Sequence, residues 1–161
     1  MRARRIMLAS LLAAGAAHAA CEAPEHRALD FWLGQWTVHD AGKPVAKSRI
    51  ERGPGGCVIV EHYEQQDGYS GTSLSFYDAQ LKGWRQTWVD STGGVGEFNG
   101  VASAGAMQFT GETHRADGTR IFRRMRLEAE PRGVRQTSLA SRDGHEWKPH
   151  YELVYVREAA P

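Results

Sequence analysis

The stretch WRQTWVDSTGG, Trp84 to Gly94, alternates its large and polar side chains in a way that predicts a β-strand. Successive side chains of a strand point to opposite faces, so two indoles, an amide and a carboxylate would share one face. These residues are Trp84, Gln86, Trp88 and Asp90. An ordinary core face would carry Val, Ile and Leu. The mixture therefore indicates either a buried polar network or a pocket that is partly wet and partly apolar.

Comparable runs recur along the chain, and turn residues separate them about every 8–12 residues, as in barrels and sandwiches. Ten strands are predicted, at 36–39, 46–52, 57–65, 71–78, 84–90, 95–100, 107–114, 120–128, 134–141 and 147–157. Asp-Gly pairs at 117–118 and 143–144 are typical of hairpins. A short helix is predicted at 24–33, because Leu29, Trp32 and Leu33 recur at helical spacing.

These elements predict an all-β fold, an up-and-down antiparallel barrel of roughly ten strands with a short N-terminal helix. Closure is favoured over an open sheet because it removes the exposed edges. A barrel of this strand number has room for a small ligand. No low-complexity linker or fixed repeat divides the chain, so residues 20–161 are predicted to form one domain.

The N-terminus has the three parts of a secretory signal peptide. Three arginines within the first five residues precede an apolar run at 6–17, and residues 17–19 (AHA) match an A-x-A cleavage signal. The apolar run has about twelve residues, whereas a membrane-spanning helix needs about 20. Residues 1–19 are therefore predicted to be removed from a periplasmic or secreted protein, with no membrane span. An uncleaved N-terminal anchor is the alternative.

The charge of the mature chain excludes some classes of partner. The sequence has 20 Lys and Arg against 19 Asp and Glu, and three of the arginines lie in residues 1–19, so the mature net charge is about −2. Nothing in this charge favours nucleic acid or an anionic membrane surface as a partner. The sequence predicts no particular oligomeric state.

Two cysteines, Cys21 and Cys57, predict a disulfide in an exported chain. Closing a loop of about 36 residues contributes roughly 3–4 kcal/mol in the chain-entropy model. The alternatives are a lipid on Cys21, which lies just after the cleavage region, and free or metal-binding thiols. No cluster of His and Cys supports a metal site, and neither a metal nor a cofactor is predicted.

Polar residues on three further strands are candidates for the barrel interior. In CVIVEHYE (57–64), Glu61 and Tyr63 share a face that we expect to point inward. A desolvated carboxylate there would be either a general base or, the interpretation we prefer, half of a salt bridge to an arginine. Ser73 lies among small residues that would leave room for a cavity, and Gln136 adds an amide. No Ser/His/Asp triad is present.

The run RIFRRMRLE (120–128) carries arginines on both faces of a strand. Arg123 shares one face with Ile121, Met125 and Leu127, while Arg124 and Arg126 share the other. Such a group is able to hold a ligand carboxylate. The favoured interpretation is a solvated outer face whose arginine stems cover apolar surface, with one arginine reaching Glu61 or Asp90.

The segment LDFWLGQWTV (29–38) resembles the G-x-W opening of calycin barrels, the superfamily of lipocalins and fatty-acid-binding proteins. In those barrels the tryptophan closes one end and a basic residue of the last strand covers it, which implies these roles for Trp36 and Arg157. Together with GGCVIVEHY, GTSLSFYD, WRQTWVD, VRQTS and SRDGHEW, it resembles a family of small exported bacterial proteins of unknown function with a lipocalin-like barrel. The resemblance implies a fold and a compartment but no reaction.

A more distant resemblance is to nitrobindins, ten-stranded barrels that also open with G-x-W and bind haem through a histidine. Residues 37–39 (TVH) replace the glycines that follow the tryptophan in nitrobindins, and neither His114 nor His150 is matched to the haem ligand. Haem binding is therefore kept as an alternative function.

The leading hypothesis is an exported protein that binds a small apolar or aromatic ligand. The predicted ligand-contacting residues are Glu61, Tyr63, Ser73, Trp84, Gln86, Trp88, Asp90 and Gln136. Concave, mainly apolar sites with a few polar groups are the usual form of such pockets. The alternatives are an enzyme that uses Glu61 or Asp90 as general base, and a haem protein. No catalytic residue is assigned, and a non-enzymatic role is preferred.

Overall fold

The computed structural model describes residues 21–158, so the predicted signal peptide at residues 1–19 lies outside them. A four-residue helix α1 (Pro24–Arg27) and a 3-10 turn (Asp30–Trp32) come first. Ten strands follow: β1 (Gly34–Asp40), β2 (Lys43–Arg52), β3 (Val58–Gln65), β4 (Ser70–Asp78), β5 (Gly83–Asp90), β6 (Val95–Ser103), β7 (Ala106–His114), β8 (Arg120–Glu130), β9 (Gly133–Ser141) and β10 (Lys148–Arg157).

The strands form a closed antiparallel barrel in which each pairs with its neighbours in sequence and β1 pairs with β10. The predicted fold class is therefore confirmed, and the predicted strand bounds agree with the observed ones to within three residues. The single helix predicted at 24–33 is divided at Ala28 and Leu29. Leu29 leaves the helical conformation (φ −103°, ψ 8°), and both Leu29 and Trp32 are buried.

The barrel has two different ends, because antiparallel strands place alternate turns at opposite ends. The N-terminal segment 21–33 and the turns after β2, β4, β6 and β8 lie at one end, which we call the lower end. The turns after β1, β3, β5, β7 and β9 lie at the other, which we call the open end. Within residues 21–158, no helix has the length and apolar character needed to cross a membrane.

A cluster of aromatic side chains fills the lower end. Trp32 and Trp36 are each 1% exposed, and both meet the ring of Tyr155 edge-on, with centroids 5.8 and 6.3 Å away. The Trp36 indole Nε1 donates a hydrogen bond to the Trp32 carbonyl at 3.0 Å. Because edge-to-face aromatic packing and a satisfied indole N–H are both favourable, this cluster holds the N-terminal segment against the barrel.

Arg157 covers the Trp36 ring, as the resemblance to calycin barrels implies. The two residues are partners in the β1–β10 ladder, and the guanidinium carbon lies 4.3 Å from the indole centre. Arg157 Nη1 also donates to the Leu33 carbonyl at 3.3 Å. Gly34 has φ +143°, and a Cβ there would lie 2.5 Å from Arg157 Nη1. The positive φ favours glycine at this position, and a larger residue would also displace the end of the Arg157 side chain.

The predicted disulfide is confirmed: Cys21 and Cys57 are joined, with their Cα atoms 5.0 Å apart and a sequence separation of 36. A sulfur in a disulfide cannot also carry a lipid thioether, so this bond excludes lipidation of Cys21 in the same molecule. Arg52 adds an ion pair to Asp30 and a 2.6 Å hydrogen bond to the Gly56 carbonyl. These contacts attach the N-terminal segment to β2 and to the start of β3.

Candidate functional site

A cavity of about 690 Å³ occupies the half of the barrel toward the open end. This volume lies within the range of about 300–1,000 Å³ that is typical of small-molecule sites. The cavity floor is formed by Glu61, Gln86, Phe98, Met125, Gln136 and Tyr155, and the walls include Tyr63, Tyr69, Trp88, Arg123, Tyr151 and Leu153. The lower half is filled instead, because its inward positions carry Trp36, Trp84 and Phe109.

One wall of the cavity is aromatic. The ring of Tyr63 meets Trp88 and Tyr69 edge-on, at centroid distances of 6.1 and 6.4 Å. A Cβ at Gly71 would lie 2.1 Å from the Trp88 ring, so the glycine allows the indole to lie against β4. The small residues of β4 were expected to leave empty space. At Gly71 the indole of Trp88 fills that space and becomes part of the wall.

Glu61 lies at the centre of a buried hydrogen-bond network beneath the cavity. Its carboxyl group accepts hydrogen bonds from Ser48 Oγ at 2.9 Å and from Ser73 Oγ at 3.2 Å. The Tyr155 hydroxyl lies 3.1 Å from Glu61 Oε1 and 3.0 Å from Gln136 Oε1. One hydroxyl proton cannot serve two acceptors. A protonated Glu61 that donates to Tyr155, while Tyr155 donates to Gln136, satisfies all the groups.

The electrostatics of Glu61 agree with this proton arrangement. Burial raises the pKa of Glu61 from its ordinary 4.5 to about 7, although the hydrogen bonds that Ser48, Tyr155 and Ser73 can donate to the ionised carboxylate act in the opposite direction. Within residues 21–158 no arginine or lysine forms an ion pair with Glu61, so the salt bridge preferred from the sequence is not found. Hydroxyl groups take the place of the expected cation.

Asp90 lies at the rim of the cavity and is held by its own turn. It accepts hydrogen bonds from the Thr92 and Gly94 backbone N–H groups at 2.9 and 3.0 Å, and from Thr92 Oγ1 at 2.6 Å. Tyr69 OH and Trp88 Nε1 add contacts at 3.2 and 3.4 Å. Partial burial raises the pKa of Asp90, but these hydrogen bonds outweigh it and the pKa is lowered. Asp90 therefore connects the aromatic wall to the turn as a charged acceptor, which does not suit a general base.

The arginines of β8 divide between the two faces of the barrel. Arg124 stacks on Trp147 outside the barrel, 3.9 Å from the ring centre, and Arg126 pairs with Glu128 at 2.9 Å. The expected outer-face role is therefore confirmed for these two. Arg123 points inward and lines the cavity, but its contact is with Thr113 Oγ1, at 3.3 Å, and it reaches neither Glu61 nor Asp90.

Six of the predicted ligand-contacting residues line the cavity: Glu61, Tyr63, Gln86, Trp88, Asp90 and Gln136. Ser73 lies behind Glu61, fully buried. Trp84 lies at the lower end, where its Nε1 donates to the Glu25 carbonyl at 3.1 Å and its ring meets Tyr77. A strand rises about 3.3 Å per residue, so Trp84 lies roughly 13 Å from Trp88 along β5, toward the lower end, although both point inward.

Several cavity residues were not predicted, chiefly Tyr69, Tyr151, Tyr155 and Arg123. Tyr151, Tyr155 and Arg157 lie at alternating positions of β10 and therefore share one face. Because Arg157 was expected to cover Trp36 at the barrel end, the same alternation could have identified both tyrosines as inward-facing. Tyr69 lies just before β4, where no periodicity applies. Gln136 Nε2 donates to the Tyr151 hydroxyl at 3.2 Å, and burial raises the pKa of Tyr151 to about 12, so this phenol stays neutral.

The two histidines considered for haem lie at the open end. His150 lines the cavity mouth, and His114 Nε2 lies 3.1 Å from Glu112 Oε1. In the described part of the chain, no three His, Cys, Asp or Glu side chains are grouped so that they could hold a metal ion.

Comparison with known proteins adds no family assignment. No protein-family model matches the chain, and no curated protein matches it significantly. The closed ten-stranded antiparallel barrel is compatible with a calycin-like fold.

Proposed function

We propose that this protein binds a small apolar or aromatic molecule inside the open half of its barrel. The observation that carries the proposal is the cavity of about 690 Å³, which has an aromatic wall and carries polar side chains on its floor and around its mouth. Binding sites for small molecules combine these same features, with apolar walls for affinity and a few polar groups for orientation. A barrel with a filled lower end and an open upper end gives such a ligand one route of access.

Trp88 is proposed as the main contact for the apolar part of the ligand. Its indole points into the barrel but is only partly buried, unlike the fully enclosed Trp32 and Trp36. The edge contact with Tyr63 and the hydrogen bond to Asp90 fix its orientation. A ligand ring placed against this surface would remove apolar area from water without rearranging the wall.

The contacts of Glu61 favour a positioning role over catalysis. A general base must reach a proton of its substrate at hydrogen-bond distance. Ser48, Ser73 and Tyr155 already surround the Glu61 carboxyl group, which is 4% exposed. Its function in the proposal is to order the cavity floor, through Tyr155 and Gln136.

We further propose that the protein acts outside the cytoplasm, in the periplasm or beyond it, after removal of residues 1–19. The disulfide between Cys21 and Cys57 supports this compartment, because such bonds persist in oxidising environments. The amino-terminal sequence supports it independently. As part of the same proposal, the protein belongs to the exported bacterial family that its sequence resembles.

Binding is tested with N-phenyl-1-naphthylamine, a neutral dye whose fluorescence rises in apolar surroundings. We expect saturable binding to the wild-type protein and at least tenfold weaker binding to Trp88→Ala, a loss of about 1.4 kcal/mol or more. Trp147→Ala is the matched control, since Trp147 stacks with Arg124 on the outside of the barrel. Its affinity for the dye should equal that of the wild type.

Two results would contradict the proposal. One is no saturable fluorescence increase with the folded wild-type protein. The other is equal binding by the wild type and Trp88→Ala. A titration with haemin runs in parallel: a Soret band that is lost in His150→Ala would assign the cavity to haem instead.

A further inference from the structure

The cavity wall carries a cation that the described part of the barrel leaves without a carboxylate partner. Arg123 lies on β8 between Ile121 and Met125, which are 7% and 8% exposed, and it points inward with them. Its Nε donates to Thr113 Oγ1, while its Nη1 is buried and has no hydrogen-bond partner among residues 21–158. None of the ion pairs within residues 21–158 includes Arg123.

The acidic groups nearest to the cavity are engaged elsewhere. Asp90 is held by the donors of its own turn, and Glu61 is surrounded by hydroxyl groups. Asp117, at the mouth, accepts from the Thr119 backbone N–H at 2.8 Å, and Asp40 is exposed. Residues 21–158 therefore place a guanidinium inside the barrel without a carboxylate at ion-pair distance from it.

The surroundings of Arg123 reinforce its positive charge. Arg115 and His150 line the cavity on the same side, and burial together with the charges of Arg123 and Arg115 lowers the pKa of His150. Burial also lowers the pKa of Arg123 itself, yet an arginine stays charged in proteins. A half-buried cation with an unpartnered N–H destabilises the empty barrel. A bound anion would remove that cost.

We propose that the ligand is an organic acid whose single carboxylate binds the guanidinium of Arg123 while its aromatic or apolar body lies against Trp88 and Tyr69. This inference rests on the proposed function and names the chemical class of the ligand. Because Thr113 accepts from Nε and Nη1 is buried, Nη2 is the guanidinium nitrogen that remains to donate to the carboxylate, in a hydrogen bond between two charged groups. The neutral phenol of Tyr151, whose hydroxyl donates to Met125 Sδ at 3.3 Å, also lines the cavity.

The test compares two probes of the same shape, naphthalene-2-carboxylate and naphthalene-2-carboxamide, by isothermal titration calorimetry. We expect the wild-type protein to bind the carboxylate at least tenfold more tightly than the neutral amide, since hydrogen bonds to charged groups are the stronger ones. Arg123→Met should lose that preference and bind both probes alike. Arg126→Gln makes the same change of charge on the outer face of the same strand and should keep the preference.

Two further readouts separate the possible outcomes. Arg123→Met should still bind N-phenyl-1-naphthylamine, which shows an intact cavity, and its Tm without ligand should be a few degrees higher because an unpaired buried charge is gone. The inference is overturned if the wild type binds the dye but shows no preference for the carboxylate. It is also overturned if the preference survives in Arg123→Met. Failure of all three probes to bind the wild type would instead overturn the proposed function, and this inference with it.

Discussion

Trp36→Ala is expected to lower the free energy of unfolding by about 3–5 kcal/mol, the usual cost of truncating a large buried aromatic side chain. Trp36 is 1% exposed and lies between the ring of Tyr155 and the guanidinium of Arg157. Its loss would leave a void at the lower end, an unused Trp32 carbonyl and an arginine without its aromatic partner. A barrel of this size has only about 5–15 kcal/mol in total, so the variant should be close to unfolding at 37 °C.

Urea denaturation followed by circular dichroism measures this effect. Trp147→Ala is the control, because Trp147 is only half-buried and lies outside the barrel against Arg124. Its cost should be about 1 kcal/mol or less. Equal stability of Trp36→Ala and Trp147→Ala would mean that the lower end is not closed by Trp36.

The second large effect concerns the pH dependence of stability, which Glu61 should dominate between about pH 4.5 and pH 7. The pKa of Glu61 is raised in the folded protein, from 4.5 to about 7, because the carboxyl group is buried. The folded state therefore keeps a proton that the unfolded state releases. Stability from this group is complete below pH 4.5 and is lost as the pH rises through 7, by about 3 kcal/mol in total.

Glu61→Gln should abolish this decline, because the amide keeps the shape of the neutral carboxyl group and does not ionise. The variant should match the wild type at pH 4.5 and exceed its free energy of unfolding by about 3 kcal/mol at pH 8. Glu64→Gln, on the exposed outer face of the same strand, should reproduce the wild-type profile. If the free energies of unfolding of wild type and Glu61→Gln change with pH in parallel across this window, Glu61 is already ionised in the folded protein at acidic pH. That result would contradict the raised pKa.

Tyr155 links the aromatic packing around Trp36 to the hydrogen-bond network around Glu61. Its ring packs on Trp32 and Trp36 at the lower end, and its hydroxyl contacts Glu61 and Gln136 at the cavity floor. The aromatic cluster that closes the barrel thus also positions the polar floor on which a ligand would rest. The floor is therefore preorganised by the core, which lowers the cost of binding.

The fold could be predicted from the sequence because its determinants are local. Alternation in WRQTWVD and CVIVEHYE identifies strands and their faces, and Asp-Gly pairs identify turns between them. The disulfide between Cys21 and Cys57 could be predicted because the chain has two cysteines and an export signal that implies an oxidising compartment. Closure followed from the number of sequential strands, and the β1–β10 ladder confirms it.

The site could be predicted only in part, because periodicity identifies a face but not a depth along the barrel. Trp84 and Trp88 share a face, yet one supports the N-terminal segment and the other lines the cavity. The partners of Glu61 lie on β2, β4 and β10, so their contacts depend on register across strands far apart in sequence. The sequence placed Arg123 on the apolar face of its strand, but only the closed barrel shows that, within the described residues, it forms no ion pair.

Whether the barrel interior binds an organic acid can be seen in a crystal structure of the protein with 6-bromonaphthalene-2-carboxylate, because the anomalous signal of bromine locates the bound molecule. We expect a bromine peak inside the open half of the barrel, with the ring against Trp88 and the carboxylate at Arg123. An interior packed solid by the protein's own side chains, or a probe found only on the outer surface, would contradict it.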